Sequence, residues 1–428
     1  MGAQEENMPI VSVVPCKTYK PDTVRQAVTA VLAPLGGISR FVRPGMQVLL
    51  KPNLLAAADL ERAITTHPAV VQAVVELVQE AGGTALIGDS PGGPAKNGPL
   101  VYHRSGMAEI AECTGARLVP FDGMVWKRLD GNDYLIARPV LEADLVINLP
   151  KLKTHILTLY TGAVKNLFGT IPGTRKREVH CRAPGVREFS QALVDVLELV
   201  RPGLTLMDGV LGQEGNGPGM GGTPNQYGCL AGSTDPVALD AVIAQAMGYR
   251  PGEVLHLAQA SVREMGVSDL DAVQVMGDRQ ALDFGAVCLP KAHWYFHIPL
   301  WMSAPLHRAI RLRPRLVPSA CIGCGRCIEV CPREAITTPM GKGLPTMGEG
   351  LPTMGEGLPT MGEGLPTMGE GLPTMGEGLP TMGEGLLTEP PLFDLDRCIG
   401  CFCCAEVCPQ GAIIPHRNLI ARLVGVGY

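Results

Sequence analysis

Eight of the fourteen cysteines fall into two copies of one spacing. The first copy is Cys321-Ile-Gly-Cys324-Gly-Arg-Cys327-Ile-Glu-Val-Cys331-Pro332; the second is Cys398-Ile-Gly-Cys401-Phe-Cys-Cys404-Ala-Glu-Val-Cys408-Pro409. The run C-x2-C-x2-C-x3-C-P ligates [4Fe–4S] clusters. Three cysteines at x2 spacing wrap one cubane, and the fourth, before a proline, starts a segment that crosses to the other. This assigns Cys321, Cys324, Cys327 and Cys408 to one cluster and Cys398, Cys401, Cys404 and Cys331 to the second. A zinc site would pair two C-x2-C units instead of runs of four. Cys403 breaks the x2 register and reads as a non-ligand. Cys16, Cys113, Cys181, Cys229 and Cys288 stand singly and read as buried bystander thiols.

A second set of reactive residues follows short apolar runs. Lys51-Pro-Asn53, Gly88-Asp89-Ser90, Asn148-Leu-Pro-Lys151-Leu-Lys153-Thr-His155 and Asp208-Gly209 each bring a charge to such a place. Thr161-Gly-Ala-Val-Lys165-Asn166-Leu-Phe-Gly169 sets a lysine and an asparagine in a glycine-bounded apolar segment. If Lys165 is partly buried, desolvation lowers its pKa and suits it to anion binding or covalent chemistry; a surface lysine beside a turn is the plainer reading. Lys51, Lys151, Lys153 and Lys165 are candidates to hold an anion, with hydrogen bonds from Asn53, Ser90 and Asn166. Lys165, Asp89, Asp208 and His155 are candidate catalytic residues, the last three for proton transfer or metal contact. His180 is a further candidate acid, base or ligand; His67 reads as a helix-start residue.

The elements that position these groups alternate. Buried strands are expected over 47–50, 84–87, 117–119, 144–147 and 204–207. Helices are expected over 68–81, with proline in its first turn, 188–200, and 236–247 behind the N-cap Asp235. This pattern gives an α/β domain with a mainly parallel sheet, whose polar clusters meet at the carboxyl ends of the strands, where such sheets bind ligands. Residues 208–222 hold seven glycines and read as a mobile loop, a lid or a phosphate-contacting nest. Gly217-x-Gly219-x-x-Gly222 matches a dinucleotide fingerprint only formally, because Pro224 follows where a helix should start.

Residues 343–384 are six copies of Gly-Leu-Pro-Thr-Met-Gly-Glu, between the two cysteine runs. Proline and two glycines per copy exclude a helix, so the segment reads as an exposed flexible insertion. Lengthening the connection costs only on the order of 1 kcal/mol in loop closure, so the two cysteine halves can still pair. The expected organisation is an α/β domain over 1–290, a linker over 291–317, a small α+β ferredoxin-like domain over 318–415 and a tail over 416–428. The linker carries two of the three tryptophans, with Tyr295, Phe296, Arg308, Arg311, Arg313 and Arg315, and reads as packing between the two domains. Without the six glutamates of the insertion, the net charge of −5 becomes +1, which argues against bulk nucleic-acid binding. No run of 18 apolar residues predicts a membrane span, and free-cysteine usage without a leader-like start suggests the cytoplasm.

The cysteine region resembles bacterial-type two-cluster ferredoxins. The strand-end blocks, above all Asn148 to Gly169, resemble the DUF362 family, many of whose members carry such a module. The resemblance implies an α/β domain with 2[4Fe–4S] clusters and delivers no reaction. Thr161 to Gly173 is more faintly similar to the lysine segment of nickel-pincer lactate racemases, although the adjacent glycines before the lysine are absent here. In those racemases a lysine anchors the cofactor and histidines move protons, parts that would fall to Lys165 and His180. The expectation is an iron–sulfur oxidoreductase with two [4Fe–4S] clusters, a ferredoxin-like or other redox partner and a small anionic substrate; any further cofactor is unspecified. The alternatives are an electron-transfer or binding module without catalysis, and a non-redox isomerase with structural clusters.

Overall fold

The computed structural model describes residues 8–94, 97–121, 123–290, 312–338, 387 and 389–416. The linker up to 311, the heptapeptide insertion and the tail from 417 lie outside the described residues.

One sheet organises the larger domain. Its strands are β1 (Ile10–Pro15), β2 (Gln47–Pro52), β3 (Thr84–Ile87) and β4 (Arg117–Leu118). A separate hairpin, β5 (Met124–Leu129) with β6 (Asn132–Ala137), comes next. The sheet resumes with β7 (Leu145–Leu149), β8 (Lys151–His155), β9 (Leu159–Thr161), β10 (Leu204–Gly215), β11 (Gly222–Ser233) and β12 (Gln274–Gly277). The order is β12-β1-β11-β10-β7-β2-β3-β4, with β8 against β10 and β9 against β8. From β10 to β4 every neighbour is parallel, while β11 runs antiparallel to both β1 and β10.

The parallel strands are apolar on both faces because helices cover both. Leu49 faces one core, and Val48 and Leu50 face the other. The period of two repeats in Leu86 against Ala85 and Ile87, and in Val146 against Ile147. The helices start where local chemistry supplies a cap. The His67 ring accepts from Ala69 N at the head of the helix Pro68–Glu80, and Asp235 accepts from Val237 N and Ala238 N ahead of Pro236–Ala246.

The glycine-rich 208–222 is not a loop throughout. Its first part continues β10 as far as Gly215, paired residue by residue with β11 down to Gly215 opposite Gly222, so only 216–221 turns.

Two buried ion pairs tie strand ends together. Lys51 on β2 meets Asp89, just past β3, at 2.7 Å, and Lys151 on β8 meets Asp208 on β10 at 2.8 Å. The Tyr19 hydroxyl accepts from Lys151 and donates to Asp208, which also accepts from His67 N. Removing one member of such a pair leaves the other buried and uncompensated, at a cost of about 3–5 kcal/mol. Lys151→Met is therefore expected to lower the denaturation midpoint of anaerobically kept protein by that order, and adding Asp208→Asn is expected to restore much of it.

Candidate functional site at the junction of the two modules

The cysteine module is built on a local two-fold pattern. Strands β13 (Arg313–Leu316) and β16 (Ile413–His416) pair antiparallel, as do β14 (Ile336–Thr337) and β15 (Leu392–Phe393). The module's sheet thus takes in residues 313–316, which the sequence reading placed in the linker. Each half carries a short helix, Arg326–Val330 and Cys403–Glu406. Backbone amides point at thiols in matching places: Gly323 N at Cys321 Sγ and Gly400 N at Cys398 Sγ, then Ala335 N at Cys331 Sγ and Ala412 N at Cys408 Sγ, all within 3.2–3.4 Å. Such donors stabilise thiolate and cluster charge.

The thiols of the two runs lie near enough to act on one another. Burial pushes the Cys327 thiol up to about 12, and the charges adding to this are those of Cys324, Cys408 and Cys321. Burial likewise raises Cys398, with Cys401 and Cys331 acting on it. All fourteen cysteines are free thiols. The spacing of the eight thiols, four of which face amide donors, is that of chains that hold two [4Fe–4S] clusters. Of the five thiols read as buried bystanders, only Cys16 and Cys229 are buried. Cys113 and Cys288 are exposed, and Cys181 donates to Pro332 O across the junction at 3.0 Å.

The module seats on the carboxyl edge of the large sheet through a small set of polar contacts. Arg177 donates to Glu329 O and Cys331 O at 3.1 and 2.8 Å. His155 Nε2 lies 3.1 Å from Glu406 Oε1. His155 Nδ1 accepts from Leu157 N and Thr158 N, so the proton belongs on Nε2, the nitrogen that faces the carboxylate. The β10–β11 turn closes against the same helix. A Cβ at Gly219, where φ is +83°, would stand 2.8 Å from Glu406 O, which leaves only glycine able to make this approach.

Between the modules lies a cavity of about 110 Å³. Lys153, Lys165, Lys176 and Arg177 bring positive charge to it, and Asp89 and Glu406 bring negative charge. Asn53, Ser90, Thr161, Asn166 and His180 add polar atoms, while Phe168, Val330 and Val407 add apolar surface. Cys403, the residue before Cys404, lines it too. Of the residues singled out in the sequence, the structure gathers Asn53, Asp89, Ser90, Lys153, Lys165 and Asn166 at this cavity. Lys51, Lys151 and Asp208 are instead engaged in the ion pairs beneath it, and His155 lies behind Glu406. Lys153 donates to Asn53 Oδ1 and Ile64 O, and Asn53 Nδ2 donates to Asn166 Oδ1 at 2.9 Å.

Electrostatics follow from desolvation. Burial lowers Lys165 against the opposing fields of Glu406 and Cys403. Lys153 is lowered further by burial and by Lys165 and Lys151. Burial brings Lys176 to about 7, although its ammonium donates to Ser90 O, Ser90 Oγ and Pro91 O. His155 and His180 are pushed to about 4 by burial and stay neutral near pH 7. Burial alone would raise Glu406, but the His155 hydrogen bond and the charge of Lys165 outweigh it and hold the carboxyl below its usual range.

Sequence reasoning missed Glu406, Lys176 and Arg177. Glu406 had a signal, since it matches Glu329 when the two cysteine runs are aligned. Lys176 and Arg177 had none, being two of several basic residues in a polar stretch.

Fold and thiols together define an α/β protein that carries an iron–sulfur dicluster module. Residues 48–245 match the family described as "Domain of unknown function (DUF362)", and residues 320–412 match "4Fe-4S dicluster domain". The thylakoid-associated protein sll1697 of Synechocystis sp. is 38% identical over 251 residues, covering 58% of this chain and 77% of its own length. The chain belongs to the DUF362 family, with a ferredoxin module that binds [4Fe–4S] clusters and serves electron transfer. Among solved structures it is similar to the lactate racemase apoprotein of Thermoanaerobacterium thermosaccharolyticum, at TM-score 0.34 and 12% identity over 54% of this chain. It is also similar to a Thermotoga maritima protein, at TM-score 0.30 and 12% identity over 52%. The chain spans 57% of each of those two structures. Among the described residues, no helix is long and apolar enough to cross a membrane.

Two substitutions separate ligands from neighbours. Cys327→Ser is expected to drop bound iron from about eight atoms towards four after anaerobic reconstitution, whereas Cys403→Ala is expected to keep about eight. Iron and sulfide analysis reads both.

Proposed function

We propose that the protein is an iron–sulfur oxidoreductase acting on a small anion held in the cavity between its modules. The observation that carries this reading is the shared wall: the helix Cys403–Glu406, which bears the ligand Cys404, lines the same cavity as Lys153, Lys165, Lys176 and Arg177. In this reading Cys321, Cys324, Cys327 and Cys408 hold one cluster, and Cys398, Cys401, Cys404 and Cys331 hold the other. When bound, the clusters supply single electrons, received from a ferredoxin-like donor. The cavity residues bind and orient. Lys165 and Lys176 attract the anion, Asn53, Asn166 and Ser90 hold the walls in register, and Phe168, Val330 and Val407 exclude water. His180, neutral and facing the cavity, offers a ring nitrogen for proton exchange at the substrate. Asp89 and Asp208 pair with the buried lysines Lys51 and Lys151, and Glu406 faces Nε2 of His155. Fourteen free thiols fit a reducing compartment, the cytoplasm being the simplest.

Anaerobic protein with both clusters reduced, mixed with a panel of small carboxylates and other oxyanions, tests the reading. At least one anion is expected to reoxidise the clusters, as read by visible absorbance and electron paramagnetic resonance. Lys165→Ala is expected to slow this by about tenfold or more, the worth of a charged hydrogen bond. Reoxidation by a protein acceptor but by no small anion would leave an electron carrier without catalysis.

Anion affinity is expected to fall as pH rises through about 7, because Lys176 then loses its proton. Lys165 and Lys153, also lowered, act in the same direction. Glu406 is already ionised there and His155 and His180 already neutral, so none of these three reverses the trend. Titrating a bound anion at pH 6, 7 and 8, in roughly one-unit steps about the Lys176 value, checks it.

A further inference from the structure

The cations that line the cavity differ in what they already hold. Lys176 is committed to three oxygens and Lys153 to two, and Arg177 spans two backbone carbonyls of the cysteine module. Among the described residues, no hydrogen bond or ion pair reaches the Lys165 ammonium; only the more distant charges of Glu406 and Cys403 act on it. One helical turn before it stands Thr161. Its side chain is 4% exposed and lines the cavity, yet its hydroxyl has no partner. A buried hydroxyl without a partner costs about 1–3 kcal/mol unless a bound group satisfies it.

The backbone that carries these two groups is rigid. Asp240 accepts from Ala163 N at 2.7 Å, from Val164 N at 2.9 Å and from the Tyr160 hydroxyl at 3.0 Å. It clamps the turn between Thr161 and Lys165 from beneath. A Cβ on Gly162 would stand 2.1 Å from Asp240 Oδ1 and 2.3 Å from the Tyr160 hydroxyl, so the clamp closes only on glycine. The structure therefore presents a hydroxyl and an uncommitted ammonium, both carried on a clamped backbone, to one small space. Phe168 and Val407 bring apolar surface to that space.

We propose that Thr161 and Lys165 form an oxyanion subsite for the carboxylate end of a short-chain carboxylic acid, whose apolar body lies against Phe168 and Val407. A planar carboxylate accepts from both donors at once, and a cavity of about 110 Å³ admits only a short chain. The assignment rests on the reading of this cavity as the ligand site, and it names which of the many lysines meets the ligand.

The test uses full-length anaerobic protein with its clusters oxidised and no electron donor present. Propionate, its neutral isostere propionamide and inorganic phosphate are titrated calorimetrically into wild type, Thr161→Val and Lys165→Met. Propionate is expected to bind wild type, about tenfold or more weakly to Thr161→Val, and undetectably to Lys165→Met; propionamide is expected not to bind. Thr161→Val removes a hydroxyl that holds no protein partner, so without ligand its melting midpoint is expected at or above that of wild type and its iron content unchanged. This makes its binding readout independent of folding. Propionate binding that survives in both variants, or propionamide binding as well as propionate, overturns the subsite. Phosphate bound in preference to propionate, with the same dependence on Thr161 and Lys165, overturns the carboxylate assignment. Because no electrons are available, this result stands apart from reoxidation: propionate that binds here while no anion reoxidises the clusters sustains the subsite and sinks the redox reading.

Discussion

Desolvated positive charge at one sheet edge is the constraint around which the molecule is arranged. Lys51, Lys151, Lys153, Lys165 and Lys176 all lie at or beside the carboxyl ends of neighbouring strands, away from bulk water. Burying an ammonium is tolerable only where something answers it. Lys51 and Lys151 are answered by carboxylates from adjacent strands, and Lys153 and Lys176 by carbonyl, amide and hydroxyl oxygens. The remaining compensation comes from outside the domain: Glu406, supplied by the cysteine module, is the carboxylate whose field reaches Lys165, His155 and His180. Docking of the second module is therefore part of the charge balance of the first.

The regular parallel part of the fold was legible because its strands are apolar on both faces and its helices carry local caps. The strand expected over 84–87 is β3 as observed, and the helix expected over 68–81 is observed as Pro68–Glu80. The stretches that escaped notice are polar strands. β8, Lys-Leu-Lys-Thr-His, reads as a loop because two of its five residues are lysines, and only pairing with β10 and β9 makes it a strand. β10 beyond Asp208 and the start of β11 are glycine-rich for a packing reason. At Gly212 a Cβ would meet Leu152 O at 2.5 Å, so the composition of a turn is serving a close strand approach. The site was legible in part for the same reason. Residues following apolar strands could be placed, whereas Glu406, Lys176 and Arg177 act through a contact between modules that no local pattern encodes.

The two halves of the cysteine module diverge where they face different surroundings. Gly325, at φ +68°, is matched by Phe402 at φ +61°, a left-handed backbone that an aromatic residue adopts only under constraint. The next position is Arg326 in the first half and Cys403 in the second. Arg326 lines a separate small cleft, whereas Cys403 faces the lysines. A guanidinium at 403 would add a fifth cation to a space that already holds four, and a cysteine adds no positive charge there. Glu329 and Glu406, by contrast, are the same residue in both halves, and only the second enters the cavity.

The core of the cysteine module is made in large part of its own sulfurs: among the described residues, Cys327, Cys331 and Cys404 cluster with Ala335, Ile336 and Ile413 at its buried centre. So few aliphatic groups cannot hold a small unit together without metal. Because this unit furnishes one wall of the cavity and the Glu406 carboxylate, the ligand pocket is completed only after maturation has delivered iron. Cells short of iron would then accumulate a chain with an open, over-charged sheet edge instead of an idle but intact pocket, and the supply of inorganic sulfide and iron would set how much of the protein is competent.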